Sequence, residues 1–377
     1  MRPIQMVDLQ TQYQRIKPEI DAAIQEVIDN ATFVKGRQVG TFARHLEQWL
    51  TVKHVVPTGN GTDALQIALM ALGLKQGDEV ITPDFTFIAT AEVVALLGLT
   101  PVVVDVAPDT MNISVEAIRK SITKRTKAIV PVHLFGQCAD MEAIMQIAKE
   151  HNLYVVEDAC QAIGAEYLFS NGTRKKAGCI GHIGCTSFFP SKNLGCYGDG
   201  GAIFTDDDEL AERMQAIANH GMVVRYHHDI VGVNSRLDSI QAAILDVKLH
   251  QLDEYTTRRK HTAEVYDKGL ADLMQLQTPA RAPYSTHVFH QYTLQLKAGN
   301  RDALHDALAV AGIPTMVYYP VPIHKQKAYS NQRYKESDFS VSNKLSKCVL
   351  SLPMHTELDE EQLEYIIGHI HRFMHNI

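Results

Sequence analysis

Lys192 is the residue of this chain whose setting most strongly indicates covalent chemistry. It follows the residues Thr-Ser-Phe-Phe-Pro-Ser and precedes a glycine-rich run that ends at Gly201. Most lysines are solvated surface residues, whereas apolar and turn-forming residues flank this one. A desolvated lysine loses proton affinity and becomes a competent amine nucleophile, and neighbouring glycines let the backbone approach a ligand closely. The pattern therefore predicts a nucleophilic lysine in a ligand-binding loop.

A second candidate is the segment 59–63, Gly-Asn-Gly-Thr-Asp, which is predicted to open a helix. Its glycines, the Thr62 hydroxyl and the free N–H groups of a helix N-terminus can hold a phosphate through hydrogen bonds and the helix dipole. The pattern is neither G-x-G-x-x-G nor a Walker loop, so a common nucleotide fold is not indicated. On these residues alone, a glycine-rich capping turn without a ligand remains an alternative.

The third candidate is Asp158, which ends an apolar strand in the sequence Glu-Asp-Ala-Cys-Gln at 157–161. A carboxylate at a strand end is often a helix cap; the alternative is a buried anion that keeps a cationic ring nitrogen protonated. The order along the chain is a phosphate cradle, an aromatic segment at 85–87, a strand-end aspartate and then the lysine. These parts suffice to hold pyridoxal 5'-phosphate (PLP) by its phosphate, its ring nitrogen and its aldehyde.

The elements that position these residues alternate between strand and helix from Thr58 to about Asp206. Short β-branched runs separated by helical segments predict an α/β fold with a mostly parallel sheet between helices. Asn171-Gly172 lies between two polar segments and predicts a tight hairpin turn. Strands are predicted at 79–82, 101–105, 128–132, 154–158 and 202–205, and helices at 63–74, 89–97, 114–121 and 141–151.

The chain of 377 residues is longer than one hydrophobic core usually organises. We expect a large PLP-binding domain over residues 1–250, with an N-terminal helical segment, and a smaller C-terminal α/β domain over residues 251–377. A long helical stretch at 235–268 is predicted to cross between them.

Composition and charge exclude several classes of protein. A net charge of −7 argues against a nucleic-acid surface. The N-terminus has no apolar signal core, the most apolar stretch (93–106) is too broken to span a membrane, and six irregularly spaced cysteines suggest reduced thiols, so we expect a cytoplasmic protein. Cys179, His182 and Cys185 recur every three residues, but no second Cys/His pair follows at the spacing of a zinc finger, so we expect a buried strand there and no metal.

Together these motifs resemble the DegT/StrS family of PLP-dependent sugar aminotransferases, which have the aspartate-aminotransferase fold (fold type I). The resemblance extends from residue 7 to residue 354 and is strongest at 61–65, 157–161 and 187–192, with support from 232–238 (Gly-Val-Asn-Ser-Arg-Leu-Asp). Within the family the sequence is most similar to enzymes that aminate UDP-2-acetamido-2-deoxy-3-oxo-glucuronate for cell-surface polysaccharides, through 189–201 and 225–228. It departs from them in a longer stretch at 168–176, which suggests an extended hairpin.

The resemblance implies a role for each candidate residue. Lys192 holds PLP as a Schiff base and moves the proton, and Asp158 pairs with the ring nitrogen. The cofactor is also contacted by Thr62, Asp63, Phe87, Gln161, Ser187 and, from the other subunit of a homodimer with shared sites, Asn234. The substrate is contacted by Arg236, Tyr318, Tyr319 and His324.

The resemblance also implies glutamate as the amine donor and a nucleotide-sugar substrate. Alternatives within the family are an aminotransferase for a dTDP-linked 3- or 4-oxo-deoxy sugar and a sugar dehydratase, but dehydratase relatives replace the lysine with histidine. A PLP-binding regulator without turnover and an aminotransferase for amino acids alone also stay open.

Overall fold

The computed structural model describes residues 1–329 and 333–375, and all elements named below lie within them. Three helices come first: α1 (Leu9–Arg15), α2 (Lys17–Asp29) and α3 (Arg37–Leu50). On α3 the residues Phe42, Leu46 and Leu50 recur every four positions and are all buried. This spacing places them on one helix face, which packs inward.

The large sheet has seven strands in the order β1-β9-β8-β5-β4-β2-β3. The run from β3 through β2, β4 and β5 to β8 is parallel, and β9 pairs antiparallel with both β8 and β1. The mostly parallel sheet predicted from the sequence is therefore confirmed. The strands of this sheet are β1 (His54–Thr58), β2 (Glu79–Pro83), β3 (Thr100–Val104), β4 (Thr126–Ile129), β5 (Tyr154–Asp158), β8 (Ile183–Ser187) and β9 (Gly201–Thr205).

Helices cover both faces of this sheet. Val80 of β2 packs in an apolar cluster with Leu65, which lies on the helix after β1. The next residue of the strand, Ile81, packs in a second apolar cluster with Ile144. Because successive residues of one strand point to opposite faces, both faces must be buried, and the strands are apolar at consecutive positions. The helices are α4 (Gly61–Ala71), α5 (Ala89–Leu96), α6 (Val115–Ser121), α7 (Met141–His151), α8 (Asp208–Ala218) and α9 (Ser239–Leu249).

The C-terminal part of the chain forms a smaller antiparallel sheet with the order β10-β11-β12. Its core also contains Ile4, which is 8% exposed, and Arg2 Nη2 donates a 2.7 Å hydrogen bond to the carbonyl oxygen of Glu357. The beginning of the chain therefore packs into the C-terminal core. The elements are α10 (Leu252–Gly269), β10 (Leu276–Gln277), β11 (Tyr292–Leu296), α11 (Arg301–Val310), α12 (Ser340–Cys348), β12 (Val349–Leu352) and α13 (Glu360–Met374).

The structure adds detail to two of these expectations and to the segment before Lys192. The turn at Asn171-Gly172 joins the predicted hairpin, β6 (Glu166–Leu168) and β7 (Arg174–Lys176). The stretch 235–268 contains two helices, because α9 ends before the turn at His250; the domain boundary that we propose lies in this turn. The strand before Lys192 ends at Ser187, and the two phenylalanines after it lie in the loop.

No helix in the described ranges combines the length and the apolar character that crossing a bilayer requires.

Candidate active site

A cavity of about 620 Å³ opens beside the carboxyl ends of the parallel strands, where α/β sheets bind ligands. Nine of the candidate residues line it, although they come from five separate segments of the chain. These residues are Thr62, Asp63, Phe87, Asp158, Gln161, Ser187, Lys192, Tyr318 and Tyr319.

One end of the cavity is the N-terminus of α4. Asn60 caps this helix, since its Oδ1 accepts a 2.8 Å hydrogen bond from the Asp63 backbone N–H. A Cβ at Gly61 would come within 2.7 Å of Ser187 Cβ and 3.0 Å of Cys160 Sγ. Only glycine therefore lets the helix start approach the end of β8 this closely, and the hydroxyl-bearing residues Thr62 and Ser187 lie at one anion-binding helix terminus.

The segment before α9 is fastened to this helix terminus. Ser235 Oγ donates a 2.6 Å hydrogen bond to Asp63 Oδ2 and accepts one of 2.9 Å from the Gly59 backbone N–H. Ser235 is 3% exposed. The segment that carries Asn234 and Arg236 is thus positioned by the same residues that form the cradle.

Asp158 ends β5 and is 6% exposed. Its Oδ2 accepts a 3.0 Å hydrogen bond from Thr90 Oγ1, and its Oδ1 accepts one of 3.1 Å from the Cys160 backbone N–H. These bonds fix the carboxylate at the cavity wall. Burial, together with the charge of Asp158, raises the pKa of the Cys160 thiol well above its ordinary value, so Cys160 is a neutral neighbour.

Lys192 lies in the loop after β8. Burial lowers the pKa of its amine from the ordinary value, although the negative charge of Asp158 opposes the shift. The Lys192 backbone N–H donates a 2.8 Å hydrogen bond to the Phe189 carbonyl oxygen, and Asn193 Nδ2 donates one of 2.9 Å to that of Val288. The amine therefore lies on an ordered loop in an environment that favours its neutral, nucleophilic form.

The opposite wall is aromatic. Gln161 Nε2 donates a 3.0 Å hydrogen bond to the Tyr319 hydroxyl, while Gln161 Oε1 accepts one of 2.9 Å from the Phe135 backbone N–H. The Tyr319 ring lies 5.9 Å from that of Phe85, edge to face. Burial raises the pKa of the Tyr319 phenol, so it stays a neutral hydrogen-bonding group. Phe87 is 55% exposed and forms the rim of the cavity.

Sequence analysis missed part of the cavity lining, above all His290. This residue is 7% exposed, and its Nδ1 has no hydrogen-bond partner among the described residues. Burial, with the nearby charge of Lys192, lowers the pKa of the imidazole well below its ordinary value. The only signal in the sequence is a polar pair, His290-Gln291, ahead of a strand. Further lining residues are Asn60, Thr86, Phe135, Cys160, Phe189, Ser191, Asp199 and Gln291.

His324, predicted to contact substrate, lies behind the lining. Its Nδ1 is 2.7 Å from Asp84 Oδ2, its backbone N–H donates a 2.7 Å hydrogen bond to Asp84 Oδ1, and its ring stacks on Phe339 at 4.1 Å. Burial raises the pKa of Asp84. Because Asp84 directly precedes the segment 85–87, this pair anchors one wall of the cavity to the C-terminal part of the chain.

Asn234 and Arg236 lie outside the cavity of their own chain. Asn234 is exposed. Arg236 lines a separate groove of about 830 Å³, which also contains Lys35, Arg37 and Arg44. Its Nη2 donates a long hydrogen bond of 3.5 Å to Asn219 Oδ1.

Comparison with known sequences identifies relatives along the whole chain. Residues 14–371 match the model of the DegT/DnrJ/EryC1/StrS aminotransferase family. The chain is 47% identical to a Geobacillus stearothermophilus protein named pleiotropic regulatory protein, over 98% of both chains. It is 46% identical to the UDP-2-acetamido-2-deoxy-3-oxo-D-glucuronate aminotransferase of Pseudomonas aeruginosa, over 96% of this chain and 98% of the relative. It is 38% identical to the dTDP-3-amino-3,4,6-trideoxy-alpha-D-glucose transaminase of Streptomyces venezuelae, over 99% and 97%.

Solved structures of similar sequence share the fold of this chain. Streptomyces venezuelae DesV, crystallised in complex with a ketimine intermediate, superposes with a TM-score of 0.95 at 38% identity over all of both chains. Bacillus subtilis NtdA, crystallised with the cofactor PMP, superposes with a TM-score of 0.87 at 32% identity over 95% of this chain and 82% of that one.

Proposed function

The chain belongs to the DegT/DnrJ/EryC1/StrS aminotransferase family of PLP-dependent sugar aminotransferases, and we propose that it transfers an amino group from glutamate to UDP-2-acetamido-2-deoxy-3-oxo-glucuronate, for a cell-surface polysaccharide. The observation that carries the chemistry is the half-buried Lys192 side chain in one cavity with the Asp158 carboxylate. The choice of sugar is supported by the 46% identity to the P. aeruginosa enzyme of that name.

The cavity fits PLP at three points. The N-terminus of α4, packed too closely against Ser187 for a Cβ at Gly61, suits the phosphate. The buried carboxylate of Asp158 suits a protonated ring nitrogen, and the Lys192 amine suits the aldehyde. When bound, PLP carries the amino group between the two half-reactions and delocalises the electrons left when a substrate carbon loses its proton.

Lys192 moves the proton in this proposal. Because burial lowers the pKa of its amine, a larger share of it is unprotonated near neutral pH than for an exposed lysine. Such an amine can accept a proton from the substrate carbon and, as an ammonium, can donate that proton in the following step. The hydrogen-bonded loop at 189–193 holds the amine in place for both transfers.

Asp158 holds a proton on the ring nitrogen by its negative charge. The hydrogen bonds from Thr90 and from the Cys160 backbone N–H orient the carboxylate, so no reorganisation is needed during the reaction. Gln161 and Phe87 contact the ring in this proposal. Thr62, Ser187 and the amide end of α4 near Asp63 hold the phosphate, although the Asp63 N–H is shared with the Asn60 cap.

The charges of the substrates support a homodimer. Glutamate carries two carboxylates, and the proposed sugar carries a diphosphate and a carboxylate. Among the described residues that line the cavity, Lys192 is the only lysine or arginine. We therefore place Arg236 and Asn234 in the cavity of a second subunit, where Arg236 binds an anionic group of the substrate and Asn234 binds the cofactor phosphate.

The loop that precedes Arg236 in the chain is suited to such a contact. Val223, Tyr226 and Val231 are 77%, 77% and 85% exposed in the single chain. Clustered exposed apolar side chains mark interaction surfaces, and a two-fold dimer would bury both copies of this one. Tyr318 and Tyr319 face the sugar in this proposal, and His324 supports the wall through Asp84.

Two alternatives have specific support. The 38% identity to the S. venezuelae transaminase favours a dTDP-linked sugar, and the name of the G. stearothermophilus relative favours a PLP-binding regulator without turnover. A regulator needs no proton-moving lysine, so the presence of Lys192 in one cavity with Asp158 favours an enzyme.

Assays of the purified protein with glutamate and a panel of nucleotide keto-sugars test the proposal through the formation of 2-oxoglutarate and amino sugar. We expect turnover of the UDP-linked 3-oxo sugar acid. Turnover of a dTDP-4-oxo-6-deoxy sugar alone would reject the proposed substrate and leave the aminotransferase activity intact. PLP binding without turnover of any sugar in the panel would favour the regulator.

A further inference from the structure

Three side chains with metal-binding groups meet where α3 packs against α9, outside the cavity. His45 lies on α3, Asp246 lies on α9, and His250 follows the last residue of α9. One ligand atom from each, a ring nitrogen or a carboxylate oxygen, lies within 4.8 Å of the other two. Within residues 1–329 and 333–375 this is the only group of three or more histidine, cysteine or acidic side chains with that geometry.

The geometry follows from helix periodicity and helix packing. Asp246 and His250 are four residues apart, which places both on one face of α9. His45 Nδ1 lies 2.6 Å from Asp246 Oδ1, and the rings of His45 and His250 are 5.7 Å apart. The His45 and Asp246 side chains are 38% and 25% exposed, and His250 is exposed, so an ion can reach all three from solvent.

We propose that these three residues bind one divalent transition-metal ion, with Zn²⁺ as the best match. Two imidazoles and one carboxylate suit zinc, whereas calcium and magnesium prefer oxygen ligands alone. Bonds of about 2.0–2.2 Å in a tetrahedral set place ligand atoms ~3.4 Å apart. Small side-chain rotations bring the three ligand atoms to that spacing, and water takes the fourth position.

The ion acts on the scaffold of the active site and not on the substrate. It cross-links α3 to α9, and α9 in turn supports the loop after Lys192: Lys248 Nζ donates a 2.5 Å hydrogen bond to the Gly195 carbonyl oxygen, and Gln241 Oε1 accepts one of 2.9 Å from the Tyr197 backbone N–H. The expected effect of the ion is therefore a more stable fold. No sequence motif predicts this site, because His45 is about two hundred residues from Asp246 and His250.

Metal binding by the full-length, PLP-loaded protein tests the proposal after treatment with EDTA and dialysis. We expect one equivalent of Co²⁺ to produce the visible d–d absorption of a four-coordinate site, at longer wavelength than the cofactor. Zn²⁺ should displace it and raise the melting temperature by several degrees, since binding to the folded state alone stabilises that state.

His250→Ala and Asp246→Asn each remove one ligand from a partly or fully exposed side chain, and the cofactor absorbance reports that the fold is intact. Both variants should lose the cobalt absorption and the rise in melting temperature. His261→Ala, which removes an exposed histidine from α10, is the matched control and should retain both. The proposal is overturned if the wild-type protein shows neither signal, or if His250→Ala binds Co²⁺ as the wild type does.

Discussion

Ser235 donates a 2.6 Å hydrogen bond from its Oγ to Oδ2 of Asp63, 172 residues earlier in the chain. This bond joins two segments that we propose to serve different active sites of a dimer. The cradle at α4 serves the cavity of its own chain, while Asn234 and Arg236, on either side of Ser235, are proposed to serve the cavity of the partner. In the proposed dimer, the hydrogen bond between Ser235 and Asp63 would therefore link the two active-site cavities.

Complementation between two inactive variants tests that assignment. Lys192→Ala and Asn234→Ala homodimers should each have little activity, since each of their sites carries one lesion. In a mixed dimer one site collects both lesions and the other is intact. Half of the dimers are mixed after random exchange, so we expect about a quarter of wild-type activity. If exchange is demonstrated by mass and activity does not return, Asn234 acts within its own chain.

Lys192→Ala should abolish the visible absorbance of the lysine-bound cofactor and all transaminase activity, because no other amine in the cavity replaces it. The far-ultraviolet circular dichroism should be unchanged. Lys175→Ala, at an exposed hairpin position, is the control and should retain both properties. Borohydride reduction followed by peptide mapping checks the site of attachment, and a label on another lysine would show the assignment to be wrong.

Asp158→Asn keeps the shape of the side chain and removes its charge. Turnover should fall by about a hundredfold or more, because preorganised charge in a site is typically worth roughly 3 kcal/mol. The cofactor should still bind to Lys192, so its visible absorbance separates lost chemistry from lost binding. Turnover close to that of the wild type would exclude the role proposed for Asp158.

Gly61→Ala should weaken cofactor binding, because the new Cβ would lie 2.7 Å from Ser187 Cβ and force α4 away from β8. Overpacking typically costs about 1–3 kcal/mol, which corresponds to ~10-fold or more in the dissociation constant. Spectroscopic titration of the apoprotein with PLP measures the change. Gly368→Ala, on α13 with nothing within 4 Å of the new Cβ, should bind PLP as the wild type does.

Lys248 gives a pH dependence of known sign. Burial lowers its pKa to about 8 in the folded protein, whereas lysines in the unfolded chain titrate near about 10.4. Between these values the unfolded state binds more protons, so the free energy of unfolding rises with pH, by up to about 3 kcal/mol in total. Urea denaturation from pH 7.5 to 10.5 should show this rise in the wild type and a flatter profile in Lys248→Met. If the free energy of unfolding changed with pH in the same way in both proteins, the role of Lys248 would be contradicted.

Local patterns were sufficient to predict much of the fold. Helix α7 begins after a capping aspartate, Asp140, and ends before Asn152 in the left-handed conformation, so its bounds follow from the sequence alone. Strand β5 likewise ends at Asp158, where an apolar run meets a charge. In both cases the determining residues are neighbours in the chain. The candidate residues from Thr62 to Lys192 that line the cavity were singled out for the same reason, since each lies in a segment that follows a strand or opens a helix.

Contacts between distant segments could not be predicted in this way. The family resemblance assigns His324 to the substrate, and the sequence gives no sign that this histidine pairs with Asp84, 240 residues away. His290 lines the cavity from a loop that contacts the loop at Lys192, where Asn193 Nδ2 donates a hydrogen bond to the Val288 carbonyl oxygen. Neither pairing leaves a period or a motif in the sequence, because the packing of distant segments determines it.

The packing of Ile4 among the residues of the C-terminal core has a consequence for synthesis of the protein on the ribosome. Ile4 shares this core with Ile366 and Ile370, which the ribosome adds about 360 residues later. The C-terminal core therefore cannot close around Ile4 until α13 has been synthesised, even though the strands of the large sheet have all emerged by Thr205. Nascent chains that stall before α13 would carry a formed sheet, an unpaired N-terminus and an exposed apolar surface, and such chains are natural substrates for chaperones.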